Sequence, residues 1–130
     1  METVERGTET ILLAEDEIEV REFTKDLLRE YGYNVIAAED GQVAINEFIS
    51  YKNMIELMIL DVIMPKKNGM EVYNEVRQIQ PDVKVLFMSG YPFDIMCKEG
   101  IMSDGFAYLE KPLSPLKLLR KIRDVLRKET

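Results

Sequence analysis

Apolar positions along the chain follow two periods that take turns. Residues 10–14 (TILLA) form a short apolar run that acidic residues stop. Val20, Phe23, Leu27, Leu28 and Tyr31 then recur at helical spacing with charges between them. That spacing predicts an amphipathic helix, and Gly32 stands where a C-terminal cap belongs. Residues 34–38 (NVIAA) read as a second strand. Residues 41–50 read as a helix with Ala44, Ile45, Phe48 and Ile49 inward. Residues 56–60 are a third strand. Asn68 and Gly69 open a helix whose Val72, Tyr73, Val76 and Ile79 share a face, and Pro81 lies just past its end. Residues 83–88 form a fourth strand, a short glycine-interrupted helix falls within 94–102, and residues 106–109 form a fifth strand. Ser114 caps a last helix with Pro115 at its first position. Leu116, Leu119, Ile122 and Leu126 are its apolar stripe.

Five strands alternating with five helices require crossover connections. They predict an α/β fold: a doubly wound, mostly parallel five-stranded sheet with helices on both faces. There is no repeat and no interior linker. Residues 1–8 read as a polar tail and 9–128 as one domain, and 130 residues leave room for one proper core.

Composition narrows the chemistry. A net charge of −7 argues against a nucleic-acid surface and against contact with an anionic membrane. The chain has no histidine, which removes Ser-His and Cys-His catalysis and histidine metal sites. The single cysteine, Cys97, excludes an intrachain disulfide and suits a reducing compartment. No apolar run approaches the roughly 18–20 residues that span a bilayer. The polar, acidic start is unlike a signal peptide. A cytoplasmic location is the expectation.

In a doubly wound sheet, ligands bind outside the carboxyl ends of the strands. The first strand ends in Glu15, Asp16 and Glu17, and the third ends in Asp61. The fourth ends in Ser89 and Gly90, and the fifth in Glu110, Lys111 and Pro112. Crowded carboxylates repel, so either one is protonated or a cation neutralises them. All-oxygen coordination without His or Cys suits Mg²⁺. Mg²⁺, an ammonium and a hydroxyl together fit a phosphoryl group. Asp61 is then the central candidate for a carboxylate nucleophile.

In this order, each at a strand end, LLAEDE, LMILDVIMP with Asn68 and Gly69, FMSGY and YLEKP resemble the receiver domain of two-component response regulators. The resemblance runs from about Thr10 to Leu126. The stretches GTETILLAEDE and VLFMSGY are most similar to receivers of hybrid sensor histidine kinases. The resemblance implies a flavodoxin-like receiver fold with strand order 2-1-3-4-5. It implies that Asp61 is the phosphoacceptor, taking its phosphoryl group from a histidine kinase or a histidine phosphotransfer domain. It implies Mg²⁺ held by Glu15, Asp16, Asp61 and the backbone carbonyl of Ile63. Lys111 and Ser89 would bind phosphoryl oxygens, and Ser89 with Tyr108 would form a conformational switch. Ile63 and Tyr91, two residues after acceptor and switch hydroxyl, would control the approach of water. A cis Lys111–Pro112 bond and a homodimer through the fourth helix, fifth strand and fifth helix also follow from the resemblance. The pair Glu15-Asp16 and the hydroxyl of Ser89 stand where Asp-Asp and Thr are commoner. Serine keeps the donor but leaves its rotamer less constrained.

Two other readings compete. An aspartyl-phosphate phosphohydrolase needs a second acid two residues after its nucleophile, and Ile63 stands there. A degenerate receiver that only binds partners would not need Asp16, Asp61, Ser89 and Lys111 together. Whether the chain is a standalone regulator or the receiver of a larger kinase stays open at this stage.

Overall fold

The computed structural model describes residues 4–128. Its elements follow in the order β1 (Thr10–Ala14), α1 (Ile18–Glu30), β2 (Asn34–Ala38), α2 (Gly41–Tyr51), β3 (Ile55–Asp61), α3 (Gly69–Ile79), β4 (Lys84–Ser89), α4 (Phe93–Lys98), β5 (Ala107–Glu110) and α5 (Pro115–Arg127). The five strands form one parallel sheet in the order β2-β1-β3-β4-β5. The sheet is the flavodoxin-like arrangement expected above.

Strand side chains alternate between two cores, because successive Cβ atoms point to opposite faces. Leu12, Met58, Leu60 and Phe87 meet Ala44, Ile45 and Phe48 of α2, Val72 and Val76 of α3, and Met96 of α4. Ile11, Leu13, Leu57, Ile59, Leu86 and Met88 meet Leu28 of α1 and Leu118, Leu119, Ile122 and Val125 of α5. Burial on both faces is why β1 and β3 read as unbroken apolar runs. Edge-to-face aromatic contacts of Tyr73 with Phe87 and Phe106 tie α3 to the β4–β5 side.

Four expected core positions are exposed. Phe23 in α1 yields its place to Thr24, which is buried one residue on. Ile49 and Ile79, near the ends of α2 and α3, lie outside the core, and so does Leu116, where the stripe of α5 runs through Leu118 and Val125 instead. A shift of one position turns a helix face by about 100°, so apolar spacing locates a helix better than it locates its buried edge.

Helix ends follow the sequence closely. Ser114 accepts from the Lys117 amide with Pro115 in the first turn, and Asn68 forms a reciprocal capping box with Glu71. Gly32 takes a left-handed φ of 100° after α1, with its N–H on the Arg29 carbonyl and the Tyr33 N–H on that of Leu28. Residues 1–3 of the expected tail lie outside the described residues. Of the remainder, Gly7 donates to the Tyr31 carbonyl (3.0 Å), and Glu5 pairs with Arg123 and Arg127 of α5. No described helix is long and apolar enough to cross a membrane.

Candidate functional site

β1 is flanked by β2 on one side and β3 on the other, so chain connections leave it in opposite directions and open a crevice at the strand ends. Pairing of Ala14 with Leu60 and of Asp61 with Met88 brings the last residues of β1, β3 and β4 to one level. A cleft of about 460 Å³ lies there, lined by Asp16, Glu17, Asp61, Ile63, Ser89, Gly90, Tyr91 and Lys111.

Carboxylate oxygens of Glu15, Asp16 and Asp61 all lie within 4.8 Å of one another. Glu15 and Asp61 are buried, while Asp16 is exposed. Lys111 bridges the two buried acids, with Nζ 2.7 Å from Asp61 Oδ2 and hydrogen-bonded to Glu15 Oε1. The Glu17 amide donates to Glu15 Oε2 (3.0 Å), and the Ile63 amide donates to Asp61 Oδ1 (3.1 Å). Both buried carboxylates are therefore held by a backbone N–H and by the same ammonium.

Electrostatics remain unbalanced. Burial, reinforced by the Asp61 charge and opposed by Lys111, pushes the Glu15 carboxyl up to about 7. Burial also works against the Lys111 ammonium, but its bonds to Asp61 and Glu15 prevail and hold it above its ordinary value. One ammonium does not neutralise three acids. The donor set is oxygen throughout, clustered and electron-rich, and it fits a hard divalent cation such as Mg²⁺.

Ser89 is fully buried, and its Oγ accepts from the Tyr91 amide (3.1 Å). Its carbonyl accepts from the Lys111 amide (2.7 Å). The Tyr108 hydroxyl donates to the Tyr91 carbonyl (2.5 Å), and its ring packs edge-on against Phe93 of α4. Burial raises the Tyr108 phenol above its usual range. The β4–α4 turn is thus held at Tyr91 by Ser89, which lines the cleft, and by Tyr108, which stands behind its wall. Ile63 and Tyr91 stand on the cleft wall with 46% and 54% of their surface exposed. The Lys111–Pro112 peptide is cis.

Every residue expected at the site lies in or beside this cleft. Sequence reasoning missed Arg21, whose guanidinium donates to the Glu15 carbonyl (2.8 Å) from the first turns of α1. It also missed the anchoring amide of Glu17. The partner of Arg21 is a backbone carbonyl, so no side-chain pattern marks it in the sequence. Backbone donors leave no signal in side-chain identity.

Comparison with known proteins agrees with this arrangement. Residues 11–123 match the family described as the response regulator receiver domain. The chain is 32% identical over 123 residues to the sensor kinase CckA of Brucella abortus, covering 95% of this chain and 13% of that protein. It is 37% identical over 119 residues to the transcriptional regulatory protein CpxR of Escherichia coli K12, covering 91% of this chain and 49% of that one. It therefore spans half or less of these two relatives. Among solved structures, the receiver domain of the hybrid histidine kinase CckA superposes with a TM-score of 0.74 at 33% identity, over 91% of this chain and 99% of that one. TrrA of Thermotoga maritima, solved in complex with Mg²⁺ and beryllofluoride, superposes with a TM-score of 0.78 at 30% identity, over 90% and 98%. With the fold, the acidic cleft and the matched span in agreement, the chain belongs to the response regulator receiver domains of two-component signalling systems.

Proposed function

We propose that Asp61 is the phosphoacceptor, and that the domain takes its phosphoryl group from the phosphohistidine of a histidine kinase or histidine phosphotransfer domain. An Asp61 carboxylate oxygen attacks phosphorus, the P–N bond to the donor imidazole breaks, and the imidazole leaves as the neutral base after taking a proton. Of the four acidic residues in or beside the cleft, Glu15, Asp16, Glu17 and Asp61, Asp61 alone is buried, ends a central strand and lines the opening. That combination carries the assignment.

Glu15, Asp16, Asp61 and the Ile63 carbonyl would hold Mg²⁺, which when bound neutralises charge on the transferring phosphoryl oxygens. Lys111 already contacts the acceptor oxygen and is placed to follow a phosphoryl oxygen once one forms there. Ser89 supplies a hydroxyl from the opposite wall. Its reorientation breaks the bond from the Tyr91 amide, and Tyr108 reads that change through the Tyr91 carbonyl. Phosphorylation then biases the face formed by α4, β5 and α5, where a homodimer or a downstream partner would dock. The domain assists its own phosphorylation and dephosphorylation and has no separate substrate. The CckA match supports an origin in a hybrid kinase.

The test is intact-mass spectrometry after incubation with acetyl phosphate. Wild type should gain one phosphoryl group with Mg²⁺ and none with chelator, and Asp61→Asn should gain none. Labelling of Asp61→Asn at the wild-type rate would refute the acceptor assignment.

A further inference from the structure

Gly41 opens α2, which follows the edge strand β2, and it touches the loop that leaves Asp61. A Cβ built on Gly41 would lie 2.0 Å from the Lys67 carbonyl oxygen and 2.7 Å from its carbonyl carbon and Cβ. The Gly41 amide points to the same loop and donates to the Pro65 carbonyl (3.4 Å). Asp40, the residue before it, caps α2 by accepting from Val43 (2.9 Å) and lies 3.7 Å from the Lys66 ammonium. The loop runs from Val62 to Asn68 and closes on itself at its base, where the Gly69 amide donates to the Val62 carbonyl (2.9 Å). There Gly69 lies so close that a Cβ would be 2.6 Å from the Asp61 carbonyl oxygen. The loop is therefore seated at its tip on Gly41 and at its base against the acceptor's own backbone.

The two sides of the upper contact differ in stiffness. α2 is anchored by its cap and by Ala44 and Phe48, both fully buried. The loop contains Lys66 in a left-handed conformation, with φ at 70°, and its side chain is exposed. A methyl group on Gly41 would drive the Lys67 carbonyl back by about 1 Å, and the loop rather than the helix gives way. The same loop carries Ile63, whose amide donates to the Asp61 carboxylate (3.1 Å).

We propose that Gly41 is a positioning residue for phosphoryl uptake: it is the seat that holds the β3–α3 loop, and through it Ile63 and the Asp61 carboxylate, in the geometry the reaction needs. The inference rests on Asp61 being the acceptor. Gly32→Ala is the control for a steric clash away from the cleft. It creates a contact of 2.2 Å to the Gly7 carbonyl oxygen at the opposite ends of the strands, and it carries the added strain of a left-handed φ of 100°. Supporting groups of this kind alter metal affinity or activity by about 10- to 100-fold. Gly41→Ala should therefore weaken Mg²⁺ binding by about 10- to 100-fold in an NMR titration. It should stay slow in acetyl-phosphate labelling at saturating Mg²⁺, and shift the Ile63 amide resonance without metal. Gly32→Ala, compared at equal folded fraction, should label at the wild-type rate with an unmoved Ile63 resonance. Wild-type labelling and an unmoved Ile63 amide in Gly41→Ala would overturn the proposal, as would equal losses in both variants. Failure of the wild type itself to label would overturn the acceptor assignment instead, and the metal-free Ile63 resonance would still decide the seat. If Gly41→Ala does not fold, hydrogen exchange on wild type decides it. Saturating Mg²⁺ should slow exchange at the Gly41 amide, and an unchanged rate there overturns the proposal.

Discussion

Glu15→Gln should stabilise the metal-free protein, and only above mildly acidic pH. In the folded chain the Glu15 carboxyl is pushed from 4.5 up to about 7, first by burial and then by the Asp61 charge. Between those two values the folded state holds a proton that the unfolded state has released. Stability therefore falls as pH rises through this window, is unaffected below 4.5, and carries the full penalty above about 7. The penalty amounts to about 3 kcal/mol. Glutamine removes it while keeping an acceptor for the Glu17 amide, but it forfeits a charge-assisted bond from Lys111. The net gain at pH 8 is about 1–3 kcal/mol, or roughly 3–15 °C in Tm for a domain of this size. Lys111, held above its ordinary value, stays charged throughout and does not contribute to the slope. Thermal melts in chelator at pH 5 and pH 8 supply the assay. The two proteins should melt together at pH 5 and separate at pH 8, and millimolar Mg²⁺ should narrow the gap by stabilising the wild type. A gap independent of pH, or a variant less stable than wild type at pH 8, would refute the view that Glu15 is an uncompensated buried acid.

Asp16→Ala should weaken Mg²⁺ binding at least tenfold in a titration while leaving the metal-free Tm nearly unchanged, because Asp16 is exposed and removes no buried contact. Ile63→Asn and Tyr91→Glu should each speed loss of the phosphoryl group from purified phosphoprotein, since both positions line the cleft and a polar group there would align a water; equal decay rates in wild type and both variants would remove these residues from control of water. Tyr108→Phe loses the bond to the Tyr91 carbonyl. It should keep the labelling rate but reduce the beryllofluoride-induced shifts of α4 and α5 amides.

The fold was legible because burial on both sheet faces leaves long apolar runs at β1, β3 and β4, and because caps such as Asn68 and Ser114 announce helix starts. The site was legible because its side chains fall at strand ends in chain order. Less legible was the exact edge of each helix. Thr24 is buried although no apolar pattern marks it, and Phe23, Ile49, Ile79 and Leu116 lie on the surface although their spacing reads as core. Contacts made by backbone left no mark at all. The Glu17 and Ile63 amides hold the two buried carboxylates, and any residue but proline could supply them. The seat at Gly41 shows in sequence only as a glycine opening a helix, where an N-terminal role explains it equally well.

Locating the phosphoryl group tests the account most directly. Wild-type protein labelled by acetyl phosphate in Mg²⁺ is reduced with borohydride, which converts an aspartyl phosphate to homoserine, and the product is mapped by tandem mass spectrometry. The account predicts homoserine at position 61 and at no other acid. Reduction at Glu15 or Asp16, or a phosphoryl group that resists borohydride because it sits on a hydroxyl such as that of Ser89, would contradict it.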